Sequence, residues 1–188
     1  MKEDLASISI KREVRPHGYF LFTADCLLES GLEQKPVPHF MASSVFSAFA
    51  LEAYLNWLGG RLFPHWAYLE RLKPTEKLAL ISDQLKLDID SSRRPWQTVW
   101  RLFRFRNQMA HGKPEQLTGE VIVNPTGGPD KASLKALLTE WEKFATAEYA
   151  RDAREDVQQI IEQLHFIAKI GDDGDPFEPG QIIVQTLE

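Results

Sequence analysis

Long apolar runs and an excess of basic charge are missing from this 188-residue sequence, and cysteine occurs only once. A single cysteine excludes an intramolecular disulfide and a multi-cysteine zinc site. We expect this residue, Cys26, to be a buried helical thiol. No apolar run approaches the roughly 20 residues that a membrane-spanning helix needs, and the first residues lack the basic-then-apolar layout of a signal peptide. A net charge of −5 carries no global signature of nucleic-acid binding. We therefore expect a cytoplasmic protein that is not bound to membranes.

Two common ligand-binding loops are also absent. The glycine-containing segment 124–130 precedes Lys131 and Ser133, but the spacing is not that of a phosphate-binding loop. The acidic segment 171–175 has neither the spacing nor the closing Glu of a calcium loop. We predict no metal ion and no cofactor.

Helical patterns fill most of the chain. Apolar residues recur at helical spacing in segments 19–31, 39–58, 74–85 and 95–111, and Gly59-Gly60 is expected to end the second of these helices. Segment 131–170 contains no Gly or Pro and predicts one long helix, or a pair broken near 147–150. Its apolar stripe could complete the bundle or form a dimer seam, and consists of Val157, Ile160, Ile161, Leu164 and Ile167. The hydrophobic fraction of 43% is ample for a packed core. These patterns predict an all-α up-and-down helical bundle.

The bundle is predicted to form one domain over residues 1–170, with its core at about 17–168, and residues 171–188 form a tail. Short β segments are expected at its periphery. Segments 8–11 and 181–187 alternate like strands and could pair with each other or with a neighbouring molecule. Segment 118–123 is a third short candidate strand.

Segment 100–113 contains the strongest candidate site. Arg106, Asn107 and His111 interrupt an otherwise apolar and aromatic helix, and Gly112 predicts a left-handed stop after them. Residues five apart lie about 140° apart on a helix. Arg106 and His111 therefore converge only if the helix end tightens or a second subunit brings its own copy.

This pair of residue types suits phosphate chemistry. A guanidinium forks onto phosphate oxygens, and an imidazole moves protons near neutral pH. The alternative is a surface cation next to a histidine that interacts with the helix dipole.

Glu52 is predicted to be a supporting residue of the candidate site. It lies in a helix that is apolar nearly all round, where a carboxylate needs a partner or an edge. Arg106 is the partner that we would test first; another Arg, or water, is the alternative. Asn56 lies one turn further on the same side.

A strip of basic residues surrounds the candidate site on this acidic protein. From Ser91 to Lys113 the sequence has six basic residues and no acid. Within the strip, we predict that Arg101, Arg104 and Lys113 contact the phosphates of a ligand; the family resemblance described below implies that this ligand is RNA. The alternative is a solvated helix face with Arg stems over aromatic rings. The aromatic residues of the same helix, which include Trp96, Trp100 and Phe103, are predicted to be core residues.

Two stretches resemble the motifs of the HEPN superfamily. Segment 106–111 resembles its Arg-x(4–6)-His signature, including the polar residue that often follows the Arg. Segment 43–56 is similar to the early HEPN helix and carries Glu52 and Asn56. The resemblance covers roughly residues 15–115, and extends at most to about residue 168. It implies an all-α bundle, frequent homodimers and, in many members, a metal-independent ribonuclease. Other members have lost catalysis and serve as binding or scaffold domains.

The resemblance implies specific roles in RNA cleavage. The 2′-hydroxyl would attack the adjacent phosphate, with His111 as general base or acid and Arg106 stabilising the phosphorane charge. Asn107 would orient either group by hydrogen bonding. In a homodimer, two copies of the motif would line one cleft at the two-fold axis.

The biological setting rests on the same resemblance. A toxin or phage-defence role is expected only from the family. HEPN toxins that pair with a nucleotidyltransferase antitoxin carry a motif resembling Arg-x4-His-x-Tyr, and Lys113 stands where that Tyr would be. We therefore do not assign that antitoxin, although another protein partner stays open.

Two alternatives to an enzyme remain. A non-catalytic binding module would use the same cleft to hold RNA, a nucleotide or a protein, and the acidic net charge favours it. In a purely structural role, Arg106 and Glu52 would form a buried ion pair and His111 would cap its helix.

Overall fold

The computed structural model shows a bundle of helices with a two-stranded β-ribbon at its edge. It describes residues 8–33, 36–120, 135, 137–169, 174–178 and 180–186. The helices are α1 (Pro16–Glu33), α2 (Pro36–Leu62), α3 (Trp66–Leu69), α4 (Pro74–Leu85), α5 (Trp96–Ala110), α6 (Glu140–Phe144) and α7 (Ala147–Ala168). The strands are β1 (Ile8–Val14) and β2 (Gly180–Thr186). The predicted all-α bundle with peripheral β segments is confirmed.

Helix α2 is the central element of the bundle. It packs against α1, α4, α5 and α7. Its apolar side chains on several faces are fully buried, namely Ala48, Ala50, Leu51, Tyr54, Leu55 and Leu58. A helix that is apolar nearly all round belongs in the middle of a core, which explains why the other helices assemble on this one.

Helix α7 contributes a large part of the buried core. Its predicted apolar stripe is buried at Val157, Ile160, Ile161 and Leu164, and it packs on α1, α2 and α5. The stripe therefore completes the bundle, a question that the sequence left open. A helix break does occur near the expected place, because α6 ends at Phe144 and the Thr146 hydroxyl accepts a hydrogen bond from the Tyr149 N–H at the start of α7.

The predicted end of α2 at Gly59-Gly60 was wrong. The helix continues to Leu62. Gly59 is buried, and a Cβ at this position would overlap the Trp66 ring, whereas the nearest atom to a Cβ at Gly60 is 3.9 Å away. Gly59 is thus required for close packing of α3 on α2 and not for ending the helix.

The β-ribbon joins the two ends of the described chain. β1 and β2 pair antiparallel with Ile8 opposite Thr186 and Val14 opposite Gly180. The chain before β2 also packs on α1, because His17 Nε2 donates a hydrogen bond to the Pro176 carbonyl over 2.7 Å. Burial lowers the pKa of His17 to about 4, so the ring is neutral at pH 7. The pairing of the two strand segments is therefore within one chain.

Other sequence expectations have mixed outcomes. Residues 118–120 form no strand, and the rest of the candidate strand 118–123 lies outside the described residues. Cys26, expected to be buried, is exposed on α1. Within the described residues, no helix is both long and apolar enough to cross a membrane.

Substitution of the two adjacent glycines of α2 should have opposite effects on stability. Gly59→Ala forces the buried Trp66 ring to move, and such overpacking costs about 1–3 kcal/mol. Gly60→Ala meets no close atom and should stabilise the helix by about 0.5–1 kcal/mol. Urea unfolding of the two variants measures both effects. A Gly59→Ala variant as stable as Gly60→Ala would contradict this packing.

Candidate functional site

Helix α5 carries the predicted catalytic residues in its last turns. Pro95 precedes the helix, where its fixed φ and missing N–H are tolerated. The helix buries an apolar face against α2 and α7. The buried side chains of that face include Trp96, Val99, Leu102, Phe103 and Phe105. This packing fixes the position of the polar residues that follow.

The end of α5 differs from the prediction. The helix stops at Ala110, and the His111 N–H donates to the Asn107 carbonyl over 3.0 Å. His111 has φ −116° and ψ 22°, which is outside helical geometry. Gly112 does not adopt the expected left-handed conformation, because the chain has already left the helix at a conformation open to any residue. Because His111 lies beyond the last helical residue, helical periodicity does not determine the direction of its exposed side chain.

The end of α5 borders a cleft of about 1140 Å³. Residues 71–75, which lead into α4, form a second wall, while α2 and α6 contribute Glu52 and Trp141. The predicted site residues that line the cleft are Glu52, Arg104, Arg106, Asn107, His111 and Lys113. Arg106 and His111 therefore share one cleft within a single chain, despite their separation on an ideal helix. Arg101 and Asn56 are not among the lining residues.

Glu52 bridges two cations from two other helices. One carboxylate oxygen accepts a hydrogen bond from Arg106 Nη2, and the other lies 3.7 Å from Lys77 Nζ of α4. The Lys77 side chain is only 3% exposed, so its charge depends on this carboxylate. The proposed pairing of Glu52 with Arg106 is thus observed, with a second partner that the sequence had not indicated.

The guanidinium of Arg106 is held from several sides. Nη1 donates to Asn107 Oδ1 over 2.9 Å, and the guanidinium carbon lies 5.7 Å from the centre of the Phe103 ring. Nε is buried and has no hydrogen-bond partner among the described residues. Such contacts fix the plane of an Arg side chain, which is a requirement for bidentate recognition of phosphate.

The cleft is basic although the protein is acidic. Five Arg or Lys side chains and two Glu side chains are among its lining residues, while the whole chain carries −5. Arg71 and Lys73 belong to this set, and we had not predicted them because they precede α4 in a segment without helical periodicity. A cleft lined by one sign of charge attracts ligands of the opposite sign.

The predicted basic strip is divided in the structure. Arg104 and Lys113 line the cleft, but Arg94 contacts three carboxylates of α7. Its Nε donates to both oxygens of buried Asp156, Nη1 lies 2.8 Å from Asp152 Oδ1, and Nη2 lies 3.7 Å from Glu155 Oε2. Such an arrangement stabilises the contact between α5 and α7. Arg94 is therefore part of the scaffold, a role that neither interpretation of the strip had included.

Trp100 was expected in the core, yet it is 52% exposed and lines the cleft. The neighbouring Trp96 and Phe103 are buried as predicted, and Phe105 is buried as well. Trp96, Val99, Trp100 and Phe103 follow one i, i+3, i+4, i+7 pattern, so the periodicity could not identify Trp100 as the position that the core leaves uncovered.

Asn56, which was predicted as a supporting residue, does not line the cleft. Asn56 Oδ1 is buried and has no hydrogen-bond partner in the part of the chain that the structure describes. Within that same part, no cluster of three or more His, Cys, Asp or Glu side chains has the arrangement of a metal site. The polar side-chain groups that line the cleft are guanidinium, ammonium, imidazole, amide, hydroxyl and carboxylate.

Comparison of this chain with models of protein families, with curated proteins and with solved structures found no match. The chemistry of the cleft must accordingly be inferred from its own residues.

Loss of the Glu52 charge should destabilise the protein. Glu52→Gln leaves the Lys77 ammonium buried without its carboxylate. We expect a loss of about 2–3 kcal/mol, below the roughly 3–5 kcal/mol for a fully buried pair, because Glu52 and Arg106 keep some solvent contact. Urea unfolding measures the difference.

Glu115→Gln is the matched control, because Glu115 lines the same cleft but is exposed. Its effect should stay within about 0.5 kcal/mol. Adding Lys77→Met to Glu52→Gln should recover part of the loss, since no buried charge then lacks its partner. Equal stability of the Glu52→Gln and Glu115→Gln proteins would show that the bridge has no structural role.

Proposed function

We propose that this protein is a metal-independent endoribonuclease whose site is the cleft at the end of α5. The observation that carries the proposal is the presence of Arg106, Asn107 and His111 along one basic cleft. The resemblance of segment 106–111 to the HEPN motif supports the same chemistry. It is also the origin of the expected toxin or phage-defence role and of the expected homodimer, which stay predictions.

The reaction uses the RNA's own 2′-hydroxyl as nucleophile. His111 takes the hydroxyl proton while the O2′–P bond forms. Arg106 donates hydrogen bonds to the phosphorane oxygens, where negative charge accumulates. The P–O5′ bond then breaks, and the imidazolium returns the proton to the 5′-oxygen. The products are a 2′,3′-cyclic phosphate and a 5′-hydroxyl, so atoms and charges balance without a further reactant.

Asn107 and Glu52 have positioning roles in this proposal. Asn107 accepts from Nη1 of Arg106, and Glu52 accepts from Nη2. They thus hold the guanidinium before the substrate arrives, which avoids reorganisation in the transition state. The surrounding Arg71, Lys73, Arg104 and Lys113 supply the attraction for the RNA backbone.

A non-catalytic binding module is the second candidate. One observation favours it: the net charge of −5 opposes capture of a long polyanion such as RNA. The contact of Glu52 with one edge of Arg106, which a phosphate must share or displace, fits both candidates. Such a module would hold RNA, a nucleotide or an acidic protein segment in the cleft without cleaving it.

Substitution of His111 should abolish RNA cleavage. Loss of a general base or acid typically lowers the rate by about 10²–10⁴-fold, and the exposed position of His111 should leave the fold unchanged. The assay compares wild type with His111→Ala on a panel of single-stranded RNAs in EDTA. Wild-type products should end in 2′,3′-cyclic phosphate.

His65→Ala is the matched control, because His65 is also exposed but does not line the cleft. It should cleave like wild type. Cleavage by His111→Ala at the wild-type rate would refute the proposed role of His111. RNA binding by both proteins with no cleavage by either would favour the binding module.

The cleft cations should determine how RNA binding depends on salt. Lys73→Ala and Arg104→Ala should each weaken binding and lower the slope of log affinity against log salt by about 0.7, the value for one phosphate contact on a single strand. Fluorescence anisotropy at several NaCl concentrations measures the slope. Arg151→Ala is the control, because Arg151 is exposed on α7 and does not line the cleft. An equal change of slope in that variant would place the RNA elsewhere.

A further inference from the structure

A second pocket opens beside the cleft. Its volume is about 370 Å³, within the range of roughly 300–1,000 Å³ that is typical of small-ligand sites. Its apolar walls come from α4, α5 and the segment between them, namely Leu78, Leu87, Ile89, Trp96 and Trp100. Among the described residues that line it, Asp83 is the single charged one.

Trp100 connects the pocket to the cleft. It lines both cavities, as does Thr75. Trp100, Arg104 and Asn107 follow one another at steps of four and three residues, the spacing of neighbours on one helix face, and His111 lies directly after the last helical residue, Ala110. A continuous surface of α5 thus leads from an apolar pocket to the cationic cleft. At 52% exposure, Trp100 leaves much of its side chain open to a ligand.

The two cavities differ in charge, so a ligand that fills both needs an anionic part for the cleft and an uncharged, apolar part for the pocket. The cleft has five Arg or Lys side chains among its lining residues and attracts an anion. The pocket has Asp83 and, among its described lining residues, no cation, so a phosphate is disfavoured there. An occupant of both must join a planar apolar group to an adjacent phosphate. A nucleotide has this construction.

We infer that the pocket is a nucleobase subsite, in which a base of single-stranded RNA stacks on Trp100 while its phosphate lies in the cleft. The inference rests on the proposed function for the identity of the nucleic acid. The inference adds that the RNA must be single-stranded where it binds. Bases within a duplex are stacked on one another, whereas those of a single strand are free to stack on aromatic side chains.

The test compares two probes that share a backbone. One is a fluorescein-labelled single-stranded RNA decamer of mixed sequence, and the other is the same length of abasic ribose-phosphate. Both are titrated with His111→Ala protein, which carries the other substitutions and prevents cleavage. Trp100→Ala should bind the decamer about 5- to 100-fold more weakly, the range for loss of one base–aromatic stack. It should bind the abasic probe as the parent protein does.

Two variants serve as controls. Trp100→Phe keeps an aromatic face and should retain most of the affinity for the decamer. Phe166→Ala removes an aromatic side chain that is 83% exposed on α7 and does not line either cavity; it should bind both probes normally. In addition, the decamer should quench tryptophan fluorescence in the parent protein, and Trp100→Phe should lose part of that quenching while it still binds.

The outcomes separate this inference from the proposed function. If Trp100→Ala binds both probes like its parent while wild type still cleaves RNA, the base subsite is wrong and the ribonuclease stands. If the decamer binds through Trp100 but wild type cleaves nothing, the subsite stands and catalysis is wrong. Failure of the decamer to bind overturns the subsite together with the RNA assignment. Capture of an apolar peptide by the Trp100 pocket, with no preference for bases, also overturns the subsite.

Discussion

The contact between Glu52 and its two cations ties together the three helices that shape the cleft. Glu52 belongs to the central helix α2, Arg106 to α5 and Lys77 to α4. None of the three charges is well solvated, since their side chains are 27%, 20% and 3% exposed respectively. Each therefore depends on the others for compensation. The carboxylate of Glu52 therefore connects α4 and α5, the two helices that border the cleft, in addition to their apolar packing on α2.

The distribution of charge over the rest of the molecule complements this arrangement. Carboxylates of α7 surround Arg94, which leaves that residue's charge compensated within the scaffold. The cations of the cleft come instead from the end of α5 and from the segment before α4. An acidic protein thus presents a local basic surface, and net charge alone gives no information about the ligand. The charge of the ligand is better inferred from the cations that are not already compensated by ion pairs within the fold.

Periodicity predicted the bundle well because burial of an apolar face is a property that the local sequence records. It located α2, α5 and the stripe of α7, and the demand of a buried carboxylate for a partner led to the pair of Glu52 and Arg106. It did not identify Lys77, because a lysine in the first turn of an amphipathic helix has the same local pattern whether it faces water or a buried carboxylate. The interpretation of Gly59 as a helix end was wrong for a related reason. Glycine is needed there because the Trp66 ring lies too close for a Cβ, and the local sequence does not record that contact.

The contacts that Arg106 makes within the protein limit how it can bind a phosphate. Its Nη2 and Nη1 are engaged by Glu52 and Asn107, and its Nε is buried. Any phosphate that it binds must therefore approach the partly solvated Nη groups and share them with oxygens already in place. Such sharing weakens binding of a ground-state phosphate, which carries less charge on each oxygen than a phosphorane does. An Arg held in this way discriminates in favour of the more highly charged species, and that difference is what transition-state stabilisation requires. In the ribonuclease that we propose, the ion pair that connects the helices therefore also determines this preference.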